Sequence, residues 1–160
     1  MQDPLAEEIA RRYPAIAHEL LRSLIDVLTI ARQLCDGDLD KFLVMLAVGV
    51  RTAVHPEFAA ADQKQLLSGE IPIFPTLGIN TRSVSESLQI PKETTRRKVA
   101  ELIELGWIHR EGGRLHFTAE AYRTLAPLRV AVERSALRTY RTVDGVATEA
   151  GKGSRPRKAS

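Results

Sequence analysis

The chain has 160 residues, 44% of them hydrophobic and 27% charged, which is the composition of a globular protein with a core of its own. Its formal charge of +3 is unevenly spread: residues 1–80 hold 7 Lys+Arg against 11 Asp+Glu, a net of −4, while residues 81–160 hold 16 against 9, a net of +7, so an anionic partner is expected at the C-terminal half. The lone cysteine, Cys35, excludes an intrachain disulfide and a cysteine-based zinc site, and no apolar run approaches the ~20 residues needed to cross a bilayer.

Along the chain, the opening "MQDPLAEEIARRYP" has acidic residues and no apolar run after a basic start, so no signal peptide is expected and the protein reads as cytoplasmic. From Pro14 to Cys35, Ile16, Leu20, Leu21, Leu24, Ile25 and Leu28 recur at three- and four-residue steps, the stripe of an amphipathic helix. "DGD" at 36–38 ends it, and Asp38 is the expected cap of a second helix through "LDKFLVMLAVGVRTAV", apolar on most sides and therefore expected at the centre. A shorter helix is predicted in "EFAAADQKQLL". The glycines and prolines of "SGEIPIFPTLGIN" then exclude regular helix and mark the break between halves.

After the break, "TRSVSESL" predicts a helix capped by Asn80 or Thr81, "QIP" a turn, and residues 91–105 a second helix opening at Pro91 and closing at Gly106. "WIHR" and "RLHF", joined by "EGG", predict a β-hairpin over 107–117 in which His109 and His116 are cross-strand neighbours. Thr118 caps a last helix, which Pro127 is expected to kink or divide before Leu128, Val132, Leu137 and Tyr140. From Asp144 onward three glycines and a near-absence of large apolar residues predict a disordered basic tail.

At about 100° per residue, Thr95, Val99, Leu102 and Ile103 share the buried side of the 91–105 helix. Glu93, Thr94, Arg97, Glu101 and Glu104 lie opposite, with Arg96 at the edge. Basic residues gather in the first two turns and Glu101 and Glu104 towards the end, so only the N-terminal half suits a polyanion, with the positive end of the helix dipole pointing at it.

The order helix, short turn, helix, glycine-tipped hairpin, helix, and the run "TRSVSESLQIPKETTRRKVAELIELGWIHREGGRLHFT" over roughly residues 79–120, resemble the DNA-binding core of bacterial winged helix-turn-helix regulators of the MarR-type and GntR-type families. Such cores have a small residue where Ser85 stands and a glycine where Gln89 stands, so Gln89 is expected to bear a positive φ at a cost of about 1 kcal/mol. The resemblance implies a mainly α fold with a small β-hairpin wing and N- and C-terminal helical extensions. With the breaks read along the chain, it divides the protein into a helical portion over 1–78 for packing and dimerisation, the winged helix-turn-helix at 79–118, a C-terminal helix at 119–143 that is a second candidate for dimerisation, and a tail at 144–160.

It further implies a homodimeric transcriptional regulator of double-stranded DNA. Arg97 and Thr94 would read bases with Lys92 as a third, and Arg96, Lys98, Arg82 and, from the wing, Arg110 and Arg114 would contact phosphate. A protein-interaction module on the same scaffold, or a replication or partition factor, stays open beside it. A small-molecule effector between the two halves is conceivable, no cofactor or metal is implied, and the absence of a phosphate loop or an activated nucleophile argues against an enzyme. Cys35, beside Asp36 and Asp38, reads as a buried structural thiol.

Overall fold

The computed structural model of the protein describes residues 3–153, and the expected basic tail from 154 lies outside them. The fold is mainly α with one two-stranded antiparallel hairpin: α1 Pro4–Leu34, α2 Leu39–Ala53, α3 Pro56–Ala60, α4 Gln63–Ser68, α5 Thr81–Leu88, α6 Lys92–Glu104, β1 Ile108–Glu111, β2 Arg114–Phe117, α7 Ala119–Thr124 and α8 Ala126–Gly153. The chain forms two compact units, one from the residues up to Ile30 together with those from Leu128, the other from Ala31 to Pro127. Among the described residues no helix is long and apolar enough to cross a membrane.

In the first unit the two long helices run antiparallel, tied by ion pairs from Arg12 to Glu149 and from Arg138 to Asp26, the latter at 2.9 Å. Helix α1 begins ten residues before the Pro14 start expected from sequence. A proline inside a helix removes a hydrogen bond and costs about 3 kcal/mol. Here the turns before it are held by an Asp3 cap on Leu5 N at 3.0 Å and by Glu8, which pairs with both Arg11 and Arg12. The tail expected from Asp144 is corrected in its first part. Residues 144–153 continue α8, where the burial of Val146 and the Glu149 pair with Arg12 offset the about 1 kcal/mol that Gly145 costs in a helix. The division expected at Pro127 falls earlier, at Leu125, and Pro127 sits harmlessly in the first turn of α8.

In the second unit α2 is the hub. Asp38 caps it as its sequence predicts, accepting from Lys41 N at 2.8 Å, and Phe42, Val44, Met45, Val48 and Thr52 are buried. It packs on α3, α5, α6 and β2, so a boundary at residue 78 cuts through a continuous core. Its outer side is apolar too, yet Leu46, Val50 and Val54 are exposed. The single helix expected over 57–67 is two, because Asp62 caps a fresh start on Gln65 N at 2.8 Å.

The stretch after α4 is irregular, as its glycines and prolines predict, but it has a role that the sequence did not reveal. It runs along the free edge of β2: Phe74 N donates to Phe117 O at 2.9 Å, Leu115 N to Ile79 O at 2.8 Å, and Ile73 bridges Thr118. Phe74 is fully buried against the rings of Phe58 and Tyr122, edge to face at 5.2 and 5.8 Å. In the hairpin Gly112 and Gly113 both have positive φ, the two-residue turn that matches strand twist, and His109 faces His116 with ring centroids 6.4 Å apart.

Candidate nucleic-acid interface

The site is built on α5, the turn at Gln89–Pro91, α6 and the hairpin. Asn80 caps α5 through Ser83 N at 2.9 Å, and Val84, fully buried, anchors it. Gln89 ends α5 with φ +54°, the left-handed conformation expected there. The turn is then closed on both sides: Ile90 N donates to Ser85 O at 3.2 Å, while the Ser85 hydroxyl donates to Ile90 O at 2.8 Å. Ile90, Thr95, Val99 and Leu102 are buried beneath α6.

Pro91 occupies the cap position of α6 without a side-chain hydrogen bond to the helix. The first-turn N–H groups are therefore left for solvent or a ligand, at the end where the helix dipole is positive. Around them Lys92, Arg96 and Arg97 are exposed and Thr94 is half-buried. Arg96 Nε donates to Glu93 Oε1 at 2.9 Å, and this guanidinium holds the Glu93 carboxyl below the usual range. Arg97 reaches Glu101 only at 4.0 Å.

The remaining cations gather at the start of α5. Arg82 is exposed and pairs with Glu86 at 2.7 Å. Arg110, from the hairpin, donates to Thr81 Oγ1 at 3.3 Å, and the Arg114 guanidinium lies against Gly78, where an added Cβ would stand 3.7 Å from Nε. The structure thus brings two of the sequence-selected groups together at the foot of α5, the hairpin arginines and Arg82, and a third set at the start of α6.

Lys98 is a correction. It is 8% exposed, and its ammonium is held by Asp38 and by Glu101 at 3.0 Å, so it offers no phosphate contact from this position. The hydrogen bond to Asp38 raises its pKa. Burial pushes the Asp38 carboxyl up, but the Lys98 bond and the Lys41 N–H outweigh it and leave the carboxyl below its ordinary range. Lys41 joins the network at 3.6 Å from Glu101. Lys98 lies three residues after Thr95 and one before Val99, so its place at the edge of the buried stripe was legible. Its partner Asp38, sixty positions away, was not.

Two other sequence expectations have a physical setting. Cys35 is 1% exposed, and burial pushes its thiol up, away from the reactive thiolate. Between α2 and α5 an open groove of about 520 Å³ is lined by Leu46, Val50, Ile79 and Leu88 with Arg51 at its rim. Among the described residues no group of three or more His, Cys, Asp or Glu is placed to hold a metal.

No family model, curated protein or solved structure matches the chain.

Proposed function

We propose that the protein binds double-stranded DNA as a bacterial transcriptional regulator, using a winged helix-turn-helix in which α5 and α6 are the paired helices, α6 enters the major groove by its N-terminal half, and the β1–β2 hairpin is the wing. The observation that carries this reading is the start of α6: an uncapped, solvent-facing helix N-terminus with exposed Lys92, Arg96 and Arg97, while a second cationic group, Arg82, Arg110 and Arg114, lies at the start of α5. Free N–H groups and guanidinium forks are the donors that phosphate and guanine edges accept from. Thr94, Arg97 and Lys92 are the base-facing residues in this proposal, and Arg96, Arg82, Arg110 and Arg114 bind phosphate.

The protein acts in this reading as a cytoplasmic homodimer on a two-fold symmetric site. A single α6 offers a small footprint, and a stripe of exposed apolar residues on α1 is available for a second copy. The groove between α2 and α5 is where a small apolar effector would reach α5. A replication or partition factor would use the same DNA chemistry at a different locus.

The test is fluorescence anisotropy with a mixed duplex across a salt series, for the wild type and an Arg96→Ala/Arg97→Ala double variant. We expect log K to fall steeply with log salt for the wild type. The variant should bind more weakly, with a slope shallower by about one to two units. Absence of binding at low salt, or equal binding by the variant, would hand the scaffold to a protein partner, for which exposed Leu46, Val50 and Leu77 of the second unit are the candidate surface.

A further inference from the structure

Within the cationic patch at the start of α6 stands one acid. Glu93 is the second residue of the helix, its side chain is 76% exposed, and its carboxylate is engaged sideways by Arg96. The other carboxylates near the patch are accounted for differently. Glu101 is drawn to Lys98 and Lys41, and Glu86 sits on α5 paired with Arg82. An acid in the first turn gains from the helix dipole, which alone would explain its presence. It also carries a cost at this place, because a duplex brought to Lys92, Arg96 and Arg97 sets phosphates near Glu93 as well.

That cost is recovered where the duplex offers a hydrogen-bond donor. In the major groove the donors are the exocyclic amino groups, N4 of cytosine and N6 of adenine, and a carboxylate, which only accepts, suits cytosine, whose amino group has an acceptor on one side only (O6 of the paired guanine), whereas that of adenine lies between two, its own N7 and O4 of thymine. Arg96 donates through Nε and Nη2 to one oxygen only, Oε1, so the carboxylate is partly neutralised while Oε2 is left without a partner from Arg96.

We infer that Glu93 is a specificity-determining residue of this interface, selecting duplex that presents the amino group of cytosine to the first turn of α6 and disfavouring duplex that does not. The inference rests on the DNA-binding reading above, and its test separates the two. A randomised duplex pool is enriched on the wild type, on Glu93→Gln, on Glu93→Ala and on Glu104→Gln, the last removing an equal charge from the far end of the same helix. Urea denaturation of each variant records what the helix loses in stability.

We expect the wild type to enrich cytosine at one position of each half-site, with a loss of about fivefold or more when that base is replaced. Glu93→Gln should move that position towards adenine, whose N6 and N7 match an amide, and Glu93→Ala should leave it without preference. Glu104→Gln should keep the cytosine. If Glu93→Gln and Glu93→Ala tighten binding to every sequence alike and leave the preference unchanged, Glu93 acts only through its charge and the inference is wrong. Binding by the wild type without any enrichment also overturns it while leaving the DNA-binding reading intact. If the wild type binds no duplex, both fall.

Discussion

Lys98 shows how one residue's exposure changes its meaning. A lysine following two arginines on a helix reads as part of a basic face, yet its ammonium closes an ion pair with Asp38, which at the same time caps α2. One carboxylate therefore fixes both the start of the hub helix and the rotation of α6 against it. Removing one partner of such a pair leaves the other charge unmatched. For side chains 10% and 25% exposed the cost falls below that of a fully buried pair, and Lys98→Met should destabilise by about 1–3 kcal/mol in urea denaturation. The pair also sets an acid limit. The folded-state pKa of Asp38 is depressed, so its contribution is fully present above its unfolded value, near 3.8, and is lost as pH falls through the lower folded value. Wild-type stability should therefore fall on acidification below about pH 4 more steeply than that of Asp38→Asn, which starts lower and has no such group to protonate. Equal acid slopes in the two proteins would show the pair to be energetically idle.

At the scale of elements, the turn between α5 and α6 carries a strain that can be relieved. Gln89 holds φ +54° where a residue with a Cβ loses about 1 kcal/mol, and its side chain is exposed, so nothing is gained from packing to offset this. Gln89→Gly should raise stability by about 0.5–1 kcal/mol, or about 1–4 °C in the thermal midpoint, while leaving the fold unchanged; Gln89→Val should lower it. The turn was legible because its signals are local: a cap at Asn80, a proline at 91 and apolar residues one turn apart. The hairpin was legible through its two adjacent glycines, and α2 through Asp38. What was missed depended on partners distant in sequence. The extensions of α1 ahead of Pro14 and of α8 past Gly145 share the Arg12–Glu149 pair, and the segment at 72–79 is held by the free edge of β2 and by Phe74 packed on Phe58 and Tyr122. In the candidate interface the cations were legible as a group, and so was a pairing of Arg96 with Glu93, but not that Arg82 arrives with a carboxylate one turn away, though its spacing to Glu86 was there to be read.

For the whole molecule, the question is what the first unit does with apolar surface that its own two helices leave uncovered. On α1, Leu21, Leu24, Ile25 and Leu28 are 49%, 54%, 61% and 41% exposed, and their spacing of three, one and three residues places them on a single face. Contiguous apolar surface of this kind marks an interaction site. If the protein binds DNA as proposed, a second copy is the partner that a symmetric site calls for, since two α6 helices about 34 Å apart, or a multiple of that, would meet successive major grooves on one side of the duplex. Linking two weak readers in this way raises the local concentration of the second once the first has bound, and affinity can rise by about 100-fold or more without a new contact. Sedimentation of the wild type should accordingly give a dimer at micromolar concentration. Leu24→Glu/Ile25→Glu, which puts two charges into the middle of the stripe without touching a buried residue, should sediment as a folded monomer and bind a palindromic duplex at least about tenfold more weakly, while its affinity for a single half-site stays that of the wild type. A wild type that is monomeric, or a charged variant that remains dimeric, would assign the stripe to a different partner and leave α6 to act alone.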